Sequence, residues 1–423
     1  MRPLHIVIVA VCGLGFMFDI ADLNLSNVLS AVFSAAPHAQ PPGKLAWLLA
    51  APYIGGVVGA LLFGWIADRL GRRTALCLIL LLLGLTSMAA AGARDIDVLI
   101  ALRIAAGLSL GAFPPVVMAF LADHAPAGQR GGLLMLASAL GLAGAPLSIF
   151  FIRGLGPVHP LGLEAWRWAF LVYGVAALVV AVALAFLPET VRWLVKAGKY
   201  DQAERVIARL AAGREIAAGR TAPEALPERG TPERPMNMWQ CGLAAIFNLV
   251  TPWATVAFPV LSGAILIQKG VKLPDALLYV GIAATAPVLS LLVSAMGLDR
   301  LGRRTVLWAA ALAMIVSIVS FLCGSGPVVL IGAGFVFQIA VSLFLPTVSI
   351  YFAEQFPTAV RGRATSALWA LNRFGSVIAP LVLLPLLHSR GPLSLAVVIG
   401  ASLLTAMGLL WIMPPGRARQ ELR

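Results

Sequence analysis

The 423-residue sequence predicts an all-α membrane protein of twelve transmembrane helices, arranged as two six-helix pseudo-symmetric halves. Three observations carry that expectation. Hydrophobic residues make up 60% of the chain and charged residues only 12%, for a mean hydropathy of +0.93, which excludes an ordinary soluble enzyme. Apolar runs of spanning length recur along the whole chain. An arginine-rich loop sequence appears twice at a constant offset, the mark of an internal duplication.

The runs fall at 4–33, 45–67, 74–93, 98–121, 132–152, 168–187, 238–267, 274–298, 305–325, 327–352, 364–388 and 393–413. Each is close to the roughly 17–25 residues that cross hydrocarbon. Backbone groups in lipid must be bonded internally, and these runs are continuous instead of alternating, so they are helices and not barrel strands. Arg2 and the small residues Ala35-Ala36 could frame a cleaved signal peptide, but the run between them is about twice a signal core and contains Asp19 and Asp22. It is kept as the first span. Residues 188–237 interrupt the series. Ala203, Val206, Ile207 and Leu210 share one helical face, and 221–235 is rich in Pro, Glu and Arg. The expected organisation is residues 1–187 as the first half, 188–237 as an amphipathic helix and loose linker, and 238–423 as the second half. A loop disordered throughout is the alternative for the linker.

The chain carries 31 Lys and Arg against 18 Asp and Glu, a net charge of +13. In a soluble protein this would suggest nucleic acid; here the basic residues sit in short loops of one side. Arg69, Arg72, Arg73, Arg130, nine basic residues between Arg192 and Arg234, Arg300, Arg303, Arg304, Arg361 and Arg363 share a side with the tail residues Arg417, Arg419 and Arg423. The other side holds Lys44, Arg94, Arg153, Arg167, Lys269, Lys272 and Arg390. The positive-inside rule then predicts a multi-pass protein of the inner membrane with both termini cytoplasmic. Cys12, Cys77, Cys241 and Cys323 lie singly inside apolar runs, without the spacing of a metal site or disulfide framework. No Walker loop is present, and His5, His38, His124, His159 and His388 are scattered near loops or ends. The sequence therefore predicts no catalysis, no cofactor, no metal and no nucleic-acid partner.

The repeat is specific. Gly64-Trp-Ile-Ala-Asp68-Arg69-Leu-Gly71-Arg72-Arg73 follows the second span and Asp299-Arg300-Leu-Gly302-Arg303-Arg304 the eighth, an offset of 231 residues from Asp68 to Asp299. The same offset carries Asp123, Pro126, Arg130 and Gly131 onto Glu354, Pro357, Arg361 and Gly362. In such a loop the glycine admits a tight turn, the arginines present bidentate donors, and the aspartate can accept from a neighbouring helix N-terminus. Gly64, Asp68, Arg69, Gly71, Arg72, Arg73, Asp123, Arg130, Asp299, Arg300, Arg303, Arg304, Glu354 and Arg361 are thus candidates for a cytoplasmic gate. The alternative is that the arginines only obey the positive-inside rule.

These loops, the segment Pro188-Glu189-Thr190-Val191-Arg192-Trp193-Leu194 and the six-plus-six pattern resemble the major facilitator superfamily over essentially the entire chain. Within it, Arg103-x-x-x-Gly107-x-x-x-Gly111 with Ala122-Asp123-His124-Ala125-Pro126, and Asn372-Arg373-Phe374-Gly375 before Ala379-Pro380, resemble the aromatic-acid/proton symporter and sugar-porter-like branches. The first span departs from the symporter pattern of two aspartates flanking Gly-aromatic: it reads Phe16-Met17-Phe18-Asp19, with an added Asp22 one turn on. The resemblance implies the major facilitator fold, alternating access, and a central cavity lined by the first, fourth, seventh and tenth helices.

Asp19, Asp22, Arg103 and Arg373 are the ionisable residues that fall well inside the spans. At the centre of a lipid-facing helix each would cost about 2.5–3.5 kcal/mol, so they must face a paired or hydrated interior. Asp19 and Asp22, three apart on one helical face, repel when both are ionised, which favours proton uptake by one of them. Each is a candidate proton carrier; a fixed partner for an arginine is the alternative. Arg103 and Arg373 keep their charge and need a standing anion, either a carboxylate of the first span or a bound substrate, unless Arg103 is a structural tie. Gly13, Gly15, Pro114-Pro115, Pro252, Pro259 and Pro346 would break helices where a cavity needs them. Asn24, Tyr53, Asn248, Gln338 and Asn372 supply polar tips, and Phe18, Trp253 and Trp369 flat walls.

The expectation is a proton-coupled secondary active transporter, a symporter that imports a small organic solute, a carboxylate or other organic anion, by alternating access. Its partners would be that solute, protons and the lipid bilayer, with a monomer as the working unit. Proton-coupled efflux is the alternative within transport, and a non-transporting nutrient sensor the alternative outside it.

Overall fold

The computed structural model describes residues 3–125, 129–158, 160–211, 238–295, 302–356 and 361–413. Twelve helices are long and apolar enough to cross a bilayer, and no strand occurs among the described residues. Asp299, Arg300, Pro126, Pro357, His159, the 221–235 linker and the tail arginines lie outside them, as do the side chains of Arg130, Leu210, Glu354 and Arg361.

The first three spans are α1 (Pro3–Val32), α2 (Pro42–Leu70) and α3 (Arg72–Ala91). A single residue, Gly71 at φ 101°, turns α2 into α3. Only glycine fits there, because a Cβ would meet Glu189 Oε2 at 2.2 Å as well as the left-handed backbone. The fourth span divides into α4 (Ile96–Leu110) and α5 (Phe113–His124), and the fifth into α6 (Arg130–Leu142) and α7 (Gly144–Leu155); α8 (Ala165–Ala185) is the sixth. After the short helices α9 (Val191–Lys196) and α10 (Tyr200–Ala211), the seventh span comes in three pieces, α11 (Met238–Val250), α12 (Pro252–Thr255) and α13 (Ala257–Gln268). The eighth comes in two, α14 (Leu273–Ala283) and α15 (Ala286–Ala295), before α16 (Arg303–Cys323), α17 (Pro327–Gln355), α18 (Arg361–Arg390) and α19 (Pro392–Ile412).

Each break lies within four residues upstream of a proline, namely Pro114, Pro146, Pro252, Pro259 or Pro287. The cause is the missing amide and the clash of the ring with the preceding turn. Two expected breaks do not occur. α1 runs straight through Gly13 and Gly15, whose added Cβ atoms would meet Leu140 at 2.7 Å and Phe113 at 2.8 Å, so these glycines serve close packing. α17 continues through Pro346, although the missing amide frees the Ser342 carbonyl; the Thr347 and Ser349 hydroxyls donate to the carbonyls of Leu343 and Leu345.

Small residues set the tightest helix pair. Cβ atoms at Gly55 and Gly59 of α2 would meet the Ile104 and Leu108 carbonyls of α4 at 2.0 and 1.9 Å. The Gly107-x-x-x-Gly111 spacing is therefore a packing seam, the small-residue interface expected where lipid supplies no hydrophobic drive. In the linker, Leu194 of α9 and Ala203 and Val206 of α10 bury one another, so the amphipathic face covers a small core of its own.

Two buried clusters run along the bundle. One contains only residues between Ile8 and Leu187 and lies toward the Asp68–Arg73 loop. The other joins Leu25, Val28, Ile149 and Trp166 to Leu261, Ile265, Leu277 and Phe337, so helices from before and after the linker share a core at the end remote from that loop. The seal is close. A Cβ at Gly263 of α13 would meet Ala31 Cβ of α1 at 2.8 Å, and one at Gly281 of α14 would meet Phe150 of α7 at 3.0 Å.

Candidate functional site

Below that seal, α1 carries both intramembrane carboxylates, and the structure treats them differently. Asp22 is fully buried and accepts from the Arg103 guanidinium and from the Ser87 hydroxyl. The second guanidinium nitrogen of Arg103 donates to the Asp22 carbonyl at 3.1 Å and to Ser26 Oγ at 3.3 Å, and its face lies 5.4 Å from the Phe170 ring centre. Arg103 is 1% exposed. Arg103 and Asp22 thus join α4 to α1, with Arg103 Nε left without a hydrogen-bond partner among the described residues.

Asp19 is also fully buried, but neither carboxylate oxygen has a hydrogen-bond partner among the described residues. Its electrostatic neighbours are Asp22 and, from α18 on the far side of the linker, Arg373. Arg373 forms no ion pair among the described residues; its guanidinium lies over the Trp369 ring at 5.1 Å and within electrostatic reach of Asp19 and Tyr53. The four charges thus divide into one joined pair, Asp22 with Arg103, and two charges, Asp19 and Arg373, that lie within electrostatic reach and form no ion pair among the described residues.

The expected lining residues fall into two chambers. Asn24, Tyr53 and Gln338 line a cavity of about 190 Å³ below the seal, together with apolar walls that include Ile20, Leu142 and Val260. Asn27 and Thr255 join it and were not foreseen. Asn27 sits one helical turn from Asn24 and donates to its Oδ1 at 3.0 Å, so its three-residue spacing was a readable signal; Thr255, whose hydroxyl bonds Thr251 O, was not. Asn248, Trp369 and Asn372 line a second chamber of about 60 Å³ nearer the arginine-rich loops, with Thr251. Trp253 reaches neither: it is half-buried against the shared core. Phe18 likewise packs near Tyr173, with ring centres 6.4 Å apart.

The gate candidates are knitted within their own helices. Arg72 donates to Asp123, which Arg192 also approaches at 3.7 Å, and to Ala119 O at 2.9 Å. The Arg73 amide donates to both Glu189 oxygens at 3.1 Å, and its guanidinium to Leu187 O at 3.0 Å. Trp193 Nε1 donates to the Asp68 carbonyl at 3.2 Å, and Arg69 lies over Trp65 at 4.3 Å. Gly64 faces open space. Across the repeat, Arg304 donates to Trp411 O at 2.8 Å. Arg73 and Arg304, related by the 231-residue offset, thus each clasp the last carbonyls of the helix that closes their set. No described bond links Asp68, Arg69, Arg72 or Arg73 to helices beyond the linker. Glu189, missed as a site residue, is the acceptor that orders this loop.

A twelve-helix bundle with a polar cavity at its centre, sealed at one end by helices from both sides of the linker, defines a multi-pass membrane transporter of the major facilitator class. The chain belongs to the sugar (and other) transporter family, whose family model matches residues 5–418. It is similar to YyaJ of Bacillus subtilis (strain 168), named for metabolite transport, at 26% identity over 99% of this chain and 94% of that protein. It is also similar to the niacin transporter NiaP of Acinetobacter baylyi, at 26% identity over 89% and 86% of the two chains. Among solved structures, the xylose transporter XylE of E. coli, in a partially occluded inward-open conformation, has a TM-score of 0.76 at 20% identity, covering 98% of this chain and 99% of that one. These relatives are transporters and not enzymes, and the expectation of the sugar-porter-like branch holds.

Proposed function

We propose that the protein is a proton-coupled symporter that imports a small organic anion, with Asp19 as the proton carrier and Arg373 as the anion's counter-charge. The observation that carries this is the Asp19 carboxyl, without a hydrogen-bond partner among the described residues and within electrostatic reach of Arg373, which forms no ion pair among them, while Asp22 and Arg103 pair with each other. A buried carboxylate without donors is stable only when neutral or opposite a cation. An anion arriving at Arg373 takes over the cation, Asp19 binds a proton, and the neutralised site permits the helix sets to rock. Asn24, Asn27, Tyr53, Thr255 and Gln338 orient the solute, and the aliphatic walls suit an apolar body better than a polyol. XylE is a proton:xylose symporter, and niacin, which NiaP carries by name, is a carboxylic acid; both features are extended to this chain by analogy.

The positive-inside rule places the arginine-rich loops in the cytoplasm with both termini, so the shared core closes the outer face. Residues 1–187 and 238–423 act as the rocking halves, with 188–237 tethering them. Each chain carries a whole cavity, so a monomer suffices. The test is a thermal-shift screen of carboxylates, sugars and nucleobases followed by uptake in proteoliposomes. An imposed inward proton gradient should accumulate the best-binding carboxylate. Stabilisation by sugars alone would reject the anion, and accumulation only with the gradient reversed would make the protein an exporter.

A further inference from the structure

The largest described cavity lies elsewhere. About 490 Å³ in volume, it sits at the sealed end between the last turn of α1, the end of α7, the start of α8 and the start of α14. Its body is apolar, built by Val32, Pro37, Ile152, Trp166, Leu273 and Leu277. Three ionisable side chains reach it: His38, Arg153 and Glu164. Glu164 is already engaged, by His38 Nε2 at 3.1 Å and by Arg167 Nε at 3.4 Å. Arg153 is not. Its Nε donates to the Pro274 carbonyl at 3.1 Å, across from α7 to α14, and its guanidinium has no carboxylate partner among the described residues.

An apolar chamber with one cation left over matches one ligand chemistry, an apolar body ending in a single anionic group. We propose that this cavity is a second binding site, for an amphipathic anion whose head pairs with Arg153 and whose body lies against Trp166 and Leu277. Neutral solutes of the same shape lack the head that Arg153 requires, and cations meet it with like charge. Two sources could supply such an anion, a dissolved carboxylate or an anionic lipid of the outer leaflet.

The site is tested on the full chain in phosphatidylcholine nanodiscs, in an Arg373→Gln background that removes the counter-charge proposed for the transported anion. Carboxylate binding that remains there and is weakened by Arg153→Gln reports the outer cavity, whatever becomes of the transport proposal. The probes are cyclohexanecarboxylate, cyclohexylmethanol and cyclohexylmethylamine, read by the thermal unfolding midpoint. The carboxylate should raise the midpoint in a saturable way and the other two should not. Arg153→Gln should weaken its apparent affinity by about tenfold, the usual worth of a charge-assisted pair, and Leu277→Trp, which narrows the chamber where the body lies, should weaken it as well. Equal shifts from the alcohol, no shift from the carboxylate, or an affinity indifferent to Arg153→Gln would overturn the site. Replacing part of the phosphatidylcholine with phosphatidylglycerol separates the sources: competition makes the lipid head group the occupant, and unchanged affinity makes it the dissolved anion.

Discussion

Arg103 reaches across from α4 to hold Asp22, and this one contact decides the roles of all four intramembrane charges. It leaves Asp19 as the buried carboxylate of α1 without a hydrogen-bond partner among the described residues. Breaking it from one side strands a buried charge. Arg103→Ala is expected to destabilise the protein by about 3–5 kcal/mol, seen as lost expression and a lowered unfolding midpoint. The neutral double substitution Asp22→Asn with Arg103→Gln should recover most of that loss. A double variant no better than Arg103→Ala would show that the arginine acts through something other than Asp22.

Arg373 forms no ion pair among the described residues, so its neutralisation should tell in binding before stability. Arg373→Gln is expected to weaken binding of the transported anion by about 1.5–3 kcal/mol, roughly tenfold to a hundredfold. The check is a titration of the best carboxylate from the screen against both proteins. Undiminished affinity would move the anion away from α18.

Closure of the outer face depends on how nearly α13 can approach α1. Gly263→Leu would drive a side chain into Ala31 and the Asn27 carbonyl, holding that end apart. In a background with the native thiols replaced by serine, a Thr255→Cys reporter should then react several-fold faster with a membrane-impermeant maleimide added outside. Equal rates with and without Gly263→Leu would mean that the seal forms elsewhere.

The arginine loop is ordered by its glycine and by Glu189. Gly71→Ala places a Cβ in the left-handed region and against the Glu189 carboxylate, and should cost about 1–3 kcal/mol. Glu189→Gln keeps the shape and one acceptor, and should lower the unfolding midpoint by less. A Gly71→Ala protein as stable as the parent would contradict the turn geometry.

Much of the fold was legible in the sequence because lipid leaves so few options: continuous apolar runs can only be helices, and twelve appear, each within about three residues of its expected limits except the eighth, whose expected end at 298 lies outside the described residues. Breaks were harder. Proline removes one helical bond without saying whether the packing around it keeps the helix continuous, so Pro346 lies within an unbroken α17 while Pro146 and Pro287 follow breaks. In the site, the cost of burying charge singled out Asp19, Asp22, Arg103 and Arg373 from sequence alone. Which acid meets which base depended on helix rotation and crossing, and Ser87, 65 residues from Asp22, left no local trace. Trp253 shows the converse, an aromatic of the right helix turned into the core.

The most direct measurement is proton-driven accumulation against solute exchange in proteoliposomes carrying Asp19→Asn. If Asp19 bears the coupled proton, a carboxamide there should abolish accumulation under an imposed inward proton gradient while equilibrium exchange of the same solute continues. Accumulation at the level of the unmodified protein would contradict the assignment.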